Sequence, residues 1–141
     1  TTSVDLKQAA KQQEGTKTAT FDFSTITETG TAAEMIVDGI KLTPDKAAGS
    51  NPPGVNKAGE WRLYRANSMT ISGATITNIE ITFSSTSYMG ADFVAAPGTY
   101  TTADKIGTWT GSATSVVFTN GTTSSENVQA RMKKIVVTYK E

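Results

Sequence analysis

Hydrophobic and polar residues alternate along most of the chain after residue 15, and the alternation is most regular between residues 61 and 84. A period of two places successive side chains on opposite faces of a strand, so one face is buried and the other meets water. We expect three strands here, with turns near Ala66-Asn67 and Gly73-Ala74. Their expected inward positions are Leu63, Met69, Ile71, Ile79, Ile81 and Phe83.

Shorter alternating segments predict further strands on both sides of this region. One covers residues 18–24, with Phe21 and Phe23 on the same face, and another covers residues 39–43. Small strands are expected between residues 92 and 119, with a turn at Gly111-Ser112.

The last strand is expected over residues 129–140, and its alternation changes phase along its length. Met132 belongs to one phase, whereas Ile135 and Val137 belong to the other. One extra residue restores the pattern, which predicts a β-bulge at Lys133-Lys134. We expect this strand to pair with the strand at residues 18–24, because that pairing would hide a sheet edge.

Two segments lack the alternation. Residues 1–15 are rich in Lys, Gln, Ala and Glu, so we expect a short helical or disordered N-terminal lead. Residues 44–60 hold three of the four prolines, and loops of this length are usually functional or disordered. With about nine or ten strands and no second helical block, residues 16–141 predict one all-β domain, an antiparallel two-sheet β-sandwich.

Composition narrows the function classes. The 13 basic and 13 acidic side chains cancel, so the chain has no net field to attract nucleic acid. No apolar run approaches the roughly 20 residues that span a bilayer. The chain has neither cysteine nor histidine, which excludes disulfides, zinc sites and the commonest general base. Threonine supplies 25 of the 141 residues, as suits a large solvated sheet surface.

The segments GIKLTPDKAAGSNPP, WRLYRANSMTISG, ITNIEITFSS, GTWTGSATSVVFTN and QARMKKIVVTY occur in that order. This order resembles a jelly-roll β-sandwich accessory domain of secreted and surface proteins from gut-dwelling Gram-negative bacteria, similar to carbohydrate-binding modules. The resemblance covers about residues 18–141. It implies an extracytoplasmic location, a non-catalytic role and flanking domains in a larger chain. The family has no agreed activity, so the resemblance transfers no functional residue.

Catalysis and metal binding have few candidate residues. A glycoside hydrolase would require two facing carboxylates, for which Glu60, Glu80, Asp92 and Asp104 are the candidates. Jelly-roll modules often hold a structural Ca²⁺, for which Asp22, Asp38, Asp45 and Asp104 are candidate ligands. The alternative for all of these residues is an ordinary solvated carboxylate, and we expect no catalytic site.

Glycan binding is the sharpest functional hypothesis. Sugars stack their C–H faces on aromatic rings, while planar polar groups bind their hydroxyls. If Leu63 points into the core, Arg62 and Tyr64 point outward, whereas Trp61 and Arg65 share the face of Leu63. The candidate binding residues are Arg62, Tyr64, Tyr88, Trp109, Trp61 and Arg65.

The alternatives remain open. Each tryptophan is also a candidate core residue, and the arginines also fit surface ion pairs. The loops at residues 44–60 and 84–90 would frame a site at one end of the fold or would be flexible insertions. For the chain as a whole we therefore expect a domain that binds a polysaccharide or oligosaccharide or, alternatively, a structural spacer or protein-docking module.

Overall fold

Strands form where apolar and polar side chains alternate, and they dominate the computed structural model, which describes residues 16–89, 93–121 and 129–140. The described strands are β1 (Thr16–Asp22), β2 (Gly30–Thr31), β3 (Met35–Val37), β4 (Ile40–Asp45), β5 (Gly54–Asn56), β6 (Glu60–Leu63), β7 (Ser68–Phe83), β8 (Val94–Ala96), β9 (Thr99–Ala103), β10 (Ile106–Thr119) and β11 (Ala130–Lys140). Short 3₁₀ turns lie at Phe23–Thr25 and Thr86–Tyr88. The predicted all-β fold is confirmed. The predicted N-terminal lead, residues 1–15, lies outside the described residues.

β7 is the central strand of the fold. Its first half pairs with β4 and with the second half of β10, whereas its second half pairs with β11 and with the first half of β10. β9 pairs with the first half of β10, and β8 pairs with its second half. β11 pairs on its other side with β1 and β6, and β5 and β2 extend the sheet beyond β6.

These pairings connect the eleven described strands into one antiparallel sheet, so the two separate sheets of a jelly roll are not confirmed. Two expected turns are in fact bends within strands. Gly73 lies inside β7, with a φ of +122°, and Gly111 lies inside β10 near two shifts of register. Bulges and glycines let a strand bend while it keeps its neighbours, so β7 and β10 pass through the bend unbroken.

The bend folds the sheet over its own apolar face. Tyr100 pairs with Trp109 in the first half of β10, yet its ring lies 5.5 Å from the ring of Phe118 in the second half. Trp109 and Phe118 are nine residues apart, roughly 30 Å along a straight strand. The buried side chains of both halves consequently form one hydrophobic cluster, which includes Leu63, Ile71, Ile81 and Val137.

Two predictions about the last strand are confirmed. β1 pairs antiparallel with β11 from Thr16↔Lys140 to Asp22↔Lys134. The register of β11 against β7 shifts between Met132 and Lys134, which is the expected bulge. Upstream of β4, β3 pairs with it antiparallel from Met35↔Leu42 to Val37↔Ile40.

The bend in β7 depends on a glycine at position 73. A Cβ at this position would collide with the backbone carbonyl oxygen of Gly39, and the backbone conformation itself is unfavourable for other residues. We expect Gly73→Ala to lower the free energy of unfolding, measured in urea, by about 2 kcal/mol or more.

The matched control is Gly30→Ala, because a Cβ there meets no atom within 4 Å. This variant should stay within about 1 kcal/mol of the wild type. Equal stability of the two variants would contradict the role given to the bend.

Candidate functional site

The outer surface of β6 and the start of β11 brings most of the predicted outward-facing side chains together. Arg62 and Arg131 are directly paired across the two strands. Their neighbours Trp61, Leu63 and Met132 are fully buried, so both arginines point away from the core. We call this surface the arginine–tyrosine face and define it by Glu60, Arg62, Tyr64, Tyr88, Gln129 and Arg131.

Glu60 and Arg62 form a largely buried ion pair on this face. Nε and Nη2 of Arg62 donate to the same oxygen, Oε1 of Glu60, at 3.0 and 2.6 Å. The two side chains are only 9% and 17% exposed for Glu60 and Arg62. Residues i and i+2 of one strand share a face, so the order Glu60-Trp61-Arg62 places the two charged side chains side by side and turns Trp61 to the other face.

The ion pair shifts both pKa values in the direction of the charged forms. Burial on its own raises the pKa of Glu60, but the hydrogen bonds and charge of Arg62, with contributions from Ser84 and Arg131, bring it below its ordinary value. Burial lowers the pKa of Arg62, but Glu60 and Tyr64 together raise it above its ordinary value. Tyr64 therefore lies beside this guanidinium.

Arg131 is held from two sides. Its guanidinium carbon lies 3.8 Å from the centroid of the Tyr88 ring, which is a cation–π contact. Its Nε donates to Oε1 of Gln129 at 2.7 Å. Tyr88 lies in the 3₁₀ turn after β7, so the loop at residues 84–90 contributes a half-buried ring to the face.

Two buried amides fix the position of Tyr64. The backbone N–H of Tyr64 donates to Oδ1 of Asn67 at 2.8 Å, and its carbonyl accepts from the Asn67 N–H and from Nδ2 of Asn120. Nδ2 of Asn67 also donates to the carbonyls of Lys46 and Asn51, at 3.1 and 2.6 Å. The same side chain thus connects the Tyr64 turn to the proline-containing loop.

An open depression of about 430 Å³ lies beside Tyr64. The tyrosine ring packs over Gly54, close enough that a Cβ there would lie 3.6 Å from Cε2 and Oη. Tyr64 is half-buried, so part of its ring faces solvent. The depression is lined by Gly30, Thr31, Asn51, Pro52, Pro53, Gly54, Tyr64 and Gln129.

The structure places the two tryptophans in the core, away from this face. Trp61 and Trp109 are both fully buried. Trp61 stacks on Phe23 with ring centroids 5.9 Å apart, and Trp109 donates its Nε1–H to the carbonyl of Pro97 at 2.6 Å. Large rings on the inward phase of a strand have more apolar surface to bury than any other side chain. We therefore leave both out of the candidate site.

The other four predicted residues are partly exposed, and three of them belong to the arginine–tyrosine face. Arg62 and Tyr64 point outward as predicted, and Tyr88 joins them through Arg131. Arg65 was expected on the face of Leu63, but β6 ends at Leu63, so the alternation does not extend into the turn. Arg65 is half-buried there.

Sequence reasoning missed Gln129 and Arg131. Met132 points inward, so the alternation along the strand places both residues on the outward side. The sequence pattern was therefore sufficient to predict that they face outward. Their closeness to Arg62 depends on the pairing of β6 with β11, which the sequence does not reveal.

The candidate calcium ligands do not come together. Asp22 accepts hydrogen bonds from the N–H and hydroxyl of Ser24, and Asp45 accepts from the N–H of Ala47. Asp38 and Asp104 lie in separate turns with positive φ. Within residues 16–89, 93–121 and 129–140, no three acidic side chains are grouped as a metal site would require.

The candidate hydrolase carboxylates are also dispersed. Glu60 is paired with Arg62, whereas Glu80 is exposed on β7 opposite Val136 of β11. Asp104 lies in the turn between β9 and β10. Asp92 lies outside the described residues.

A second depression, of about 570 Å³, lies at the bend of β7 and includes Asp38, Gly73 and Tyr139. Its aromatic residue, Tyr139, is only 6% exposed. This depression therefore offers little ring surface on which a sugar could stack, in contrast to the depression beside Tyr64.

Comparison with known proteins adds no relative. A scan against protein-family models and a search of curated proteins both gave no match. The resemblance to jelly-roll accessory domains stays a prediction. Among the described residues, no helix has the length and apolar character needed to cross a bilayer.

The Glu60–Arg62 ion pair predicts a pH-dependent stability. Because the pKa of Glu60 is lower in the folded chain, its stabilisation is present above the ordinary glutamate pKa of 4.5 and is lost as pH falls through the folded value. We expect Glu60→Gln to lower the free energy of unfolding by about 1–2 kcal/mol at pH 7. The difference from the wild type should shrink below pH 4.5.

The control is Glu80→Gln, which removes an exposed carboxylate from β7. Its stability at pH 7 should stay within about 0.5 kcal/mol of the wild type. Urea unfolding at several pH values measures both variants. A Glu60→Gln deficit that is constant from pH 7 to pH 3 would show that the charge of Glu60 is not what stabilises the fold.

Proposed function

We propose that the protein is a non-catalytic accessory domain that binds a glycan on the arginine–tyrosine face, in the depression beside Tyr64. The observation that carries this proposal is the half-exposed Tyr64 ring, which borders a depression lined by prolines and polar side chains and whose backbone is held by two buried amides. A ring on a backbone that is already held in place loses less entropy when a ligand stacks on it.

The chemistry of the surroundings suits a saccharide. Pro52 and Tyr64 offer flat apolar surface for sugar C–H groups. Asn51 and Gln129 offer planar amides, and Thr31 offers a hydroxyl, for hydrogen bonds to sugar hydroxyls. A few polar groups around an apolar surface are typical of small-molecule sites.

The setting of the domain is part of the proposal. The domain would belong to a secreted or cell-surface bacterial protein, in which it sits beside other domains. This rests on the resemblance of its segments to accessory sandwiches and on the absence of cysteine and histidine, which leaves little chemistry for catalysis. The arginine–tyrosine face includes a single carboxylate, Glu60, whereas glycoside hydrolysis requires two.

The second candidate is a structural spacer or protein-docking module. It is favoured by one observation, the full burial of Trp61 and Trp109, which removes the two largest rings from any binding surface. Such a domain would need only the rigid face that the Glu60–Arg62 pair and the Arg131–Tyr88 contact already provide.

A glycan array followed by calorimetric titration of the hits tests glycan binding. Tyr64→Ala should weaken binding of a hit about tenfold or more, because it removes the stacking surface. Tyr64→Phe keeps the ring and should retain most of the affinity. Val94→Ala is the control, since it truncates an exposed side chain on β8.

An array without any hit would contradict glycan binding and favour the spacer. A hit whose affinity is the same in Tyr64→Ala and in the wild type would contradict this site. Circular dichroism and urea unfolding of each variant show whether a loss of binding reflects a loss of folding.

A further inference from the structure

Arg62 and Arg131 place two positive charges directly opposite each other on neighbouring strands. Like charges in this arrangement destabilise a sheet unless other groups compensate them. On the arginine–tyrosine face, the compensating carboxylate is Glu60, so the face carries two guanidinium groups and one carboxylate. Among the described residues, one positive charge on this face therefore has no carboxylate partner.

The excess charge belongs to Arg131. Both donors that Arg62 uses, Nε and Nη2, point to Oε1 of Glu60, and this pair is largely buried. Arg131 contributes to the low pKa of Glu60 through its charge, but it forms no ion pair with a carboxylate in the described part of the chain.

Arg131 is nevertheless held in place. Tyr88 covers one flat side of its guanidinium at 3.8 Å, and Gln129 accepts from Nε. Neither contact uses the two terminal nitrogens, whose N–H groups make no hydrogen bond to the described residues. A positioned guanidinium with an unused N–H fork is the group that binds a planar carboxylate through two parallel hydrogen bonds.

Gln129 connects Arg131 to the depression. Its side chain accepts from Arg131, and the residue also lines the depression beside Tyr64. Arg131 lies two positions after Gln129 on the same face of the strand, roughly 7 Å from it. A substituent on a sugar ring that occupies the depression is therefore within the reach of the fork.

We propose that the glycan bound by this face is acidic, with a uronic acid residue whose carboxylate pairs with the terminal nitrogens of Arg131. The inference rests on the proposed glycan-binding function and adds the class of ligand. A carboxylate offers two coplanar oxygens to the flat fork that Tyr88 covers, and dextran sulfate is included in the test because a sulfate ester can also offer two oxygens to a guanidinium.

The test compares acidic glycans with their own neutral forms. The probes are oligosaccharides of galacturonan, mannuronan and hyaluronan, each with its carboxyl-reduced counterpart, together with dextran sulfate and dextran. Calorimetric titration of the full chain at fixed ionic strength measures affinity, since charge-dependent binding weakens with salt. At least one uronate glycan should bind about tenfold or more tightly than its reduced form.

Variants assign the effect to the fork. Arg131→Gln should reduce affinity for the uronate probe about 10- to 100-fold and leave affinity for the reduced probe unchanged. Arg131→Lys keeps the charge without the fork and should also lose about tenfold. Lys134→Gln makes the same change of net charge at an exposed position of β11 and should have no effect.

Each outcome separates this inference from the proposed function. If neutral glycans bind through Tyr64 and Arg131→Gln changes nothing, the face binds sugars but the acidic ligand is wrong. If no probe and no array glycan binds, both proposals fail. Binding of dextran sulfate alone, with Lys134→Gln as harmful as Arg131→Gln, would show diffuse charge attraction and would overturn the carboxylate site.

Discussion

The burial of one apolar face of a continuous sheet is the constraint on which the rest of this structure depends. Each strand has a single inward set of side chains, and a flat sheet would leave that whole set in water. β7 and β10 remove this cost by bending at positions where glycine is present, so that the two halves of one sheet cover each other. The same two strands provide the backbone hydrogen bonds in both halves, which makes the halves one cooperative unit.

The candidate site follows from this packing. The inward residues Trp61 and Met132 anchor β6 and β11 in the core, so the outward residues on the same strands have fixed positions. Two arginines face each other there, and Glu60 neutralises one of them. Asn67 and Asn120, both buried, hold the turn that presents Tyr64. The surface is therefore preorganised, which reduces the entropy lost when a ligand binds.

The sequence predicts local structure well, because the alternation that defines a strand is a local property. The inward positions Leu63, Ile71, Ile81 and Val137, the bulge after Met132 and the pairing of β1 with β11 are all found as expected. The sequence does not reveal whether a glycine ends a strand or bends it. Gly73 is compatible with a turn and with a bend, and only the pairing of β7 with β4 and β10 decides between the two.

The set of residues that form the candidate site is harder to predict, because it depends on which strands pair. Arg62 is outward by phase alone, whereas Tyr64 lies beyond the end of β6 and is beside the Arg62 guanidinium. Arg131 lies next to Arg62 because β11 pairs with β6, and residues 64–129 separate these two strands along the chain. Trp61 and Trp109 show the converse limit, since a large ring on an inward phase suits a core as well as a binding surface.

The contact between Tyr100 and Phe118 tests the folded sheet most directly. Their ring centroids are 5.5 Å apart, although Phe118 is nine residues along β10 from the strand partner of Tyr100. Nuclear Overhauser spectroscopy on protein with isotope-labelled tyrosine and phenylalanine should show strong cross-peaks between these two rings. The variant Phe118→Leu should remove those cross-peaks. If the Tyr100–Trp109 contacts were present and the Tyr100–Phe118 cross-peaks absent, β10 would not bend and the sheet would not close over its own core.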